Sequence, residues 1–256
     1  MLLKDKVCVI AGSGSPRGIG YATAQLFAEH GARVAMLDIV LDRSCVDGLK
    51  SAVADQARFQ PDINGFQCDI TKIKDCERVI GEIMNQHGTI DCLVNSAGLV
   101  RGTPTLSISE DEYEQMLQVN LKGVFNLCKS VIPVMTERGE GSIVNLSSSA
   151  AQRGGGLVGG AHYAASKAGV IGLTRTLARE FGPQGIRANI VCPSMIDTSM
   201  LDGISDERFK DIIDSVPMKR AGMPREVAGA CLFLASELGG YVTGATIDVN
   251  GGSHIH

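Results

Sequence analysis

The sequence predicts a doubly wound α/β fold: one open, mainly parallel sheet of seven strands with helices on both faces. Three observations predict it. Short β-branched runs alternate with longer segments of helical period along the whole chain. The runs are apolar at nearly every position, the pattern of strands covered on both faces rather than one. A glycine-rich turn separates the first run from the first helical segment, the place where such folds bind ligands.

The elements follow in order. Residues 7–11, 18–30 and 33–38 read as strand, helix and strand, a β-α-β unit, and further strands are expected at 63–68, 90–95, 142–147, 187–192 and 246–249. Long amphipathic helices are expected at 111–138 and 163–181. No repeat or linker interrupts the alternation, so residues 1–256 are read as a single domain. Two segments do break the rhythm: a glycine-rich loop at 149–160 and a helical insertion at 198–217. Departures of this kind often carry function. The insertion reads as a substrate lid, with Met200, Leu201, Ile204, Phe209, Ile212 and Ile213 able to form an apolar face. A permanently docked surface helix has the same pattern.

The chain has 256 residues, 44% hydrophobic and 20% charged, a globular composition. A chain of this size buries roughly 70 to 75% of its unfolded surface and needs no disulfide framework. A net charge of −4 with no basic block excludes non-specific nucleic-acid binding, which needs clustered cations. No apolar stretch approaches the ~18 residues of a membrane span, and no leader pattern opens the chain, so a cytoplasmic protein with no membrane partner is expected. The eight cysteines lie scattered in apolar surroundings and read as buried free thiols of a reducing compartment. His254 and His256 lack a neighbouring cysteine or acidic cluster, so no metal is expected; they are read as touching a neighbouring subunit or solvent.

After the first strand comes Gly12-Ser-Gly-Ser-Pro-Arg-Gly18-Ile-Gly20, a phosphate-binding turn in a Rossmann-type unit. Its glycines allow close backbone approach to a pyrophosphate, and the first-turn amides of the next helix supply donors. Ser15, Arg17, Gly18 and Ile19 join Gly12 as candidate contacts, although Gly14 competes with Gly12. Asp38 closes the second strand, where a carboxylate accepts from both hydroxyls of an adenosine ribose and repels a 2′-phosphate. NAD is therefore expected over NADP. Arg17 is the contrary observation, since a cation there could meet either a 2′-phosphate or the pyrophosphate.

Tyr163-Ala-Ala-Ser-Lys167 opens a helical segment and places tyrosine and lysine on one face. An ammonium beside a phenol favours phenolate, which would make Tyr163 a usable base. Upstream stand Asn95-Ser-Ala-Gly98 after the fourth strand, Asn120 in Val-Asn-Leu-Lys-Gly, and Asn145-Leu-Ser-Ser148 closing the fifth. With the glycine turn, this ordered set resembles the short-chain dehydrogenase/reductase family, in the branch whose chain length matches this one, over essentially the whole sequence.

The resemblance implies oxidation of a secondary alcohol, or the reverse, by hydride exchange with a nicotinamide. It makes Tyr163 the general acid/base, Lys167 the residue that lowers its pKa and holds the nicotinamide ribose, and Ser148 the group that polarises the substrate oxygen. Asn120 would hold a water that links Lys167 to solvent. Asp69 and Ile70 would lie against adenine, Asn95, Ala97 and Gly98 against the adenosine ribose, and Pro193, Ile196 and Thr198 around the nicotinamide and phosphate. A homotetramer built on the two long helices is expected by the same analogy.

The chain departs from the family pattern at Ala11, Ser96 and Ser194, in a glycine turn two residues longer, and in two extra residues between Ser148 and Tyr163, so Ser149 competes with Ser148. Alternative readings are an NADPH-dependent 3-oxoacyl thioester reductase acting on acyl-carrier protein, which Asp38 disfavours, and a non-catalytic dinucleotide sensor, which would need none of these side chains. Arg153 and Arg101 are the cations near the expected substrate pocket, alongside the reading that both face solvent or a subunit contact.

Overall fold

The computed structural model describes residues 1–56, 60–155 and 158–255. Among them the chain runs β1 (Val7–Ala11), α1 (Ile19–Glu29), β2 (Arg33–Asp38), α2 (Arg43–Gln56), β3 (Ile63–Gln67), α3 (Ile73–His87) and β4 (Cys92–Asn95). It continues through α4 (Glu110–Leu117), α5 (Gly123–Arg138), β5 (Gly141–Leu146), α6 (Ala150–Arg153), α7 (Ala161–Phe181), β6 (Ile186–Pro193), α8 (Asp206–Ser215), α9 (Pro224–Ala235) and β7 (Thr246–Val249). The strands form one sheet in the order β3-β2-β1-β4-β5-β6-β7. Every pairing among the described residues is parallel, in accord with the mainly parallel sheet expected. The order reverses between β1 and β4, and a cleft opens beyond the carboxyl ends of these strands.

Alternate residues of each inner strand feed two cores. Cys8 and Ile10 of β1 pack with Ala24, Phe27, Leu49 and Val227, while Val7, Val9 and Ala11 pack with Val79, Ile83, Leu127 and Val170 on the opposite face. Burial on both faces holds for the five inner strands. The edge strand β3 alternates instead, with Asn64 and Phe66 partly buried and Gly65 and Gln67 exposed, because no strand covers its outer side. Asp91 fastens β1 to β4 at the opposite end of the sheet: its carboxylate accepts from the Val7 amide at 2.8 Å and from Arg138 at 2.8 Å.

The helix expected over 111–138 is two helices joined by one π-helical turn, Gln118–Lys122. That turn carries Asn120, which is fully buried. A single inserted π turn in an α-helix re-aims one side chain, and such turns gather at functional sites. The insertion at 198–217 is helical, as expected, and contains α8. Its approach is pinned by backbone pairing, with the Gly222 amide donating to the Met195 carbonyl and the Asp197 amide to the Gly222 carbonyl, both at 2.8 Å. The glycine-rich segment begins with the short helix α6; its residues 156 and 157 lie outside the described residues, as does His256. His254 accepts through its carbonyl from Asn250, and Arg153 donates to the Ser253 carbonyl, so the tail folds back onto α6.

Candidate active site

Parallel strands end together, which delivers the β1, β4, β5 and β6 loops to one cleft. In the first loop, Gly12 has φ +78°, and a side chain there would collide with the backbone at Ala97; one at Gly20 would collide with the Gly12 carbonyl. The turn therefore packs tightly against β4's loop. Both glycine amides are engaged within the fold: the Gly12 amide donates to the Leu37 carbonyl at 2.8 Å, and the Gly14 amide to Asp38 Oδ2 at 2.9 Å. The unengaged donors are those of the first turn of α1, whose N-cap Gly18 offers no side-chain acceptor. Ile19 in that turn lines the cleft.

Asp38 also accepts from the Val40 amide through Oδ1 at 3.2 Å. It does not cap α2; Asp42 does, accepting from the Cys45 amide at 2.8 Å. Arg17 reaches across the cleft mouth to two carboxylates, at 3.1 Å from Asp202 and 3.6 Å from Asp197. Both partners are about 180 residues away in sequence, and no local pattern announced them.

The chemistry end is built on α7. Lys167 is buried, and its Nζ donates to the Leu146 carbonyl at 3.0 Å. Burial lowers its pKa to about 8. Burial also holds the Tyr163 phenol above its ordinary value, and the hydrogen bond with Ser148 opposes this only in part. The expected depression of the phenol by Lys167 is thus reversed in the cofactor-free protein, because desolvation of the phenolate dominates. Both serines line the cleft: Ser148 is the one that acts on the Tyr163 phenol, whereas Ser149 is the more buried and its amide donates to the Pro193 carbonyl at 2.9 Å.

Asn120 Oδ1 accepts from the Leu99 amide at 2.7 Å, and its Nδ2 donates to the Leu99 carbonyl and the Ser166 hydroxyl. A carbonyl oxygen has two lone pairs, so Oδ1 keeps one. That atom and Lys167 Nζ both border Gly98, where a Cβ would stand 3.2 and 3.3 Å from them. Ser166, missed from the sequence, lies on the same helix face and also donates to the Tyr163 carbonyl. His162 is buried beside Tyr163 with Nε2 3.0 Å from Glu112 Oε1, which fixes the start of α7 on α4.

Three of the expected cofactor residues have side chains engaged within the fold or outside the main cleft. Asn95 is buried at the end of β4, its Nδ2 donating to Asn145 Oδ1 at 2.8 Å, so its side chain ties β4 to β5, while its Oδ1 has no partner among the described residues. The Ile70 side chain is in the core against Gly123. Asp69 is engaged by Thr71 and Lys72 and lies outside the cleft, in a hollow bordered by Ile39 and Gln67. Gly98, Pro193, Ile196 and Thr198 do line the cleft. Ala97 packs against Gly12.

An uncapped helix start, backbone packed too closely for any side chain, and a carboxylate at the end of β2 together fit a dinucleotide, with its phosphates at α1 and its reactive ring near Tyr163. The comparisons agree. The family model described as Enoyl-(Acyl carrier protein) reductase matches residues 12–254. The short-chain type dehydrogenase/reductase y4mP of Sinorhizobium fredii is 47% identical over the whole of both chains. The 3-oxoacyl-[acyl-carrier-protein] reductase FabG of Thermotoga maritima is 38% identical over 98% of this chain and 99% of that one. The crystal structure of gox2181 superposes with a TM-score of 0.91 at 31% identity, over 98% of this chain and 96% of that chain. No helix among the described residues is long and apolar enough to cross a membrane.

Proposed function

Because the chain belongs to the short-chain dehydrogenase/reductase family and is an NAD(P)-dependent oxidoreductase, we propose that it interconverts a secondary alcohol and a ketone with NAD, using Tyr163 as general acid/base. One observation carries the reading: Ser148, Tyr163 and the buried Lys167 line one cleft, with the Ser148 hydroxyl near enough to the phenol to oppose its raised pKa. Two hydroxyls lining the same cleft would hold a single substrate oxygen between them, the arrangement that proton transfer requires. The sensor reading falls with the enzyme class.

A bound nicotinamide supplies the carbon that exchanges hydride with the substrate. Ser148 Oγ donates to the substrate oxygen and fixes its orientation. In the reducing direction Tyr163 Oη gives its proton to that oxygen; in the oxidising direction it takes the hydroxyl proton. The cofactor-free protein holds Tyr163 as phenol, the donating form, so reduction is ready at neutral pH and oxidation gains as pH rises. Lys167 would hold the nicotinamide ribose, and the free lone pair of Asn120 Oδ1 would take a water beside it. The first turn of α1 would hold the pyrophosphate, and Asp38 the free ribose diol.

Lys167 makes cofactor affinity pH-dependent. Its pKa of about 8 lies below the ordinary value, so the free protein loses this cation as pH rises through about 8, while Tyr163 stays protonated. Binding an anionic dinucleotide favours the protonated lysine. The affinity for reduced cofactor is therefore expected to weaken roughly three- to tenfold from about pH 7 to about pH 9.5, and Lys167→Met to remove the dependence, by calorimetry.

The segment 198–217 would act as a lid over cofactor and substrate. The Arg17 bridge to Asp197 and Asp202 already ties its start to the phosphate turn. Hydrogen exchange is expected to show fast amides at 199–215 in the free protein and protection when cofactor and a substrate analogue bind. Equal protection in both states marks a fixed helix. A homotetramer is also expected, and light scattering that reports a monomer near 27.0 kDa contradicts it.

A second reading, reduction of a 3-oxoacyl thioester on acyl-carrier protein, is favoured by the names of the 35–38% identical relatives. One assay separates them: kcat/KM for secondary alcohols, polyols, hydroxy acids and a 3-oxoacyl thioester, each with NAD and NADP in the matching redox state. The first reading requires alcohols or acids with NAD to lead; a thioester with NADPH in the lead selects the second.

A further inference from the structure

The cleft's charge inventory is short. Among the described residues that line it, the only charged side chains are Lys167 and Arg153, and no carboxylate is present. Lys167 is buried and its Nζ is on the Leu146 carbonyl. Arg153 is different in kind: it ends α6 at the exposed mouth of the cleft, and one guanidinium nitrogen donates to the Ser253 carbonyl at 3.1 Å. A guanidinium has five donors in a planar fork. The hydrogen bond to the tail therefore steadies the group and leaves most of its donors open.

Apart from Tyr163, the two cations and hydroxyls such as those of Ser96, Ser148, Ser149, Ser194 and Thr198, the lining is apolar or without side chain. Leu99, Val100, Val158, Met195 and Met200 line the cleft, with Gly154 and Gly155 following Arg153. A polyol would set part of its hydroxyls against these apolar residues, at a cost for each one left unpaired. A compound with one oxygen at the reacting carbon, a short apolar body and an anionic end meets every surface with its match.

We propose that the substrate is a short hydroxy acid or oxo acid whose carboxylate is anchored by Arg153 while its hydroxyl or carbonyl oxygen sits on Ser148 and Tyr163. This rests on the alcohol/ketone reading above. Arginine suits the task because its fork matches a carboxylate with two parallel hydrogen bonds, and charge-assisted bonds are the stronger kind. Arg153 thus determines specificity, whereas the proton transfer stays with Tyr163.

The test is a binding measurement that does not depend on turnover. With saturating NAD⁺, an oxo acid cannot be reduced, so calorimetry reads its affinity directly. The probes are 2-oxobutanoate, 3-oxobutanoate and 4-oxopentanoate, each against its own amide, which keeps the shape and removes the charge. At least one acid is expected to bind roughly 10-fold to 100-fold tighter than its amide in the wild type, a preference that Arg153→Met reduces below about twofold and Arg153→Lys keeps in part. The proposal is overturned if no acid is preferred, or if the preference survives in Arg153→Met. The alcohol/ketone reading fails separately, when the acids bind as expected but neither they nor their hydroxy forms turn over. Neutral secondary alcohols that turn over with no acid preference spare that reading and remove Arg153 as the anchor.

Discussion

Tyr163→Phe is expected to lower kcat by roughly 10²- to 10⁴-fold, the range that a positioned general acid/base contributes. The substitution deletes one oxygen and keeps the ring, so packing against Gly159 survives. Lys167 bonds to the Leu146 carbonyl and not to the phenol, so the cofactor's anchor is left in place. Reduced-cofactor affinity should then stay within about twofold by fluorescence titration, because the lost group acts in the transition state rather than in binding. Retention of more than a few per cent of kcat removes Tyr163 from the acid/base role. Ser148→Ala is the useful contrast, since it leaves the proton carrier and removes only the donor that orients the substrate oxygen.

The second large effect is on cofactor choice. Asp38 is held by the Gly14 and Val40 amides, at 2.9 and 3.2 Å, so its carboxylate is fixed rather than swinging on a loop. A 2′-phosphate set about 4 Å from it would meet a repulsion of about 2 to 4 kcal/mol at the dielectric of a protein surface. The wild type is thus expected to prefer NAD⁺ to NADP⁺ in kcat/KM by between about 30-fold and several hundred-fold. Asp38→Asn keeps an oxygen for the Gly14 amide and removes the charge, and should cut the preference by about tenfold or more. Arg17 does not offset this, because two carboxylates already share its charge. A wild-type kcat/KM that is higher with NADP⁺ would show that Arg17 outweighs Asp38.

The seven strands and the phosphate-binding turn are legible in the sequence because β-branched runs and glycines act locally, through dihedral limits and burial. The same locality explains what was not. Asn120 belongs to a π-helical turn whose cause is tertiary: its side chain bonds to Leu99 and Ser166, far along the chain, and the helix yields to satisfy it. The partners of Arg17 and the bond between His162 and Glu112 are likewise long-range, with no periodic signal.

Orientation was not legible either. Asn95 sits at the expected position in β4, and register alone sets its Nδ2 on Asn145 while its Oδ1 stays unpartnered among the described residues. The phenol of Tyr163 was expected to be acidified by a lysine four residues on, but spacing says nothing of desolvation, and desolvation governs both groups. Ser148 was separated from Ser149 only by the turn that begins α6, where Ala150 donates to the Ser148 hydroxyl.

The central claim is that hydrogen passes directly from a substrate carbon to the bound nicotinamide while Tyr163 handles only the proton. It is tested by incubating the enzyme with NAD⁺ and its best secondary alcohol deuterated at the carbinol carbon, then weighing the reduced cofactor by mass spectrometry. The account predicts one deuterium in every molecule of reduced cofactor formed, in ordinary water. Reduced cofactor that carries hydrogen from the solvent, or none formed with any alcohol that binds, would contradict it.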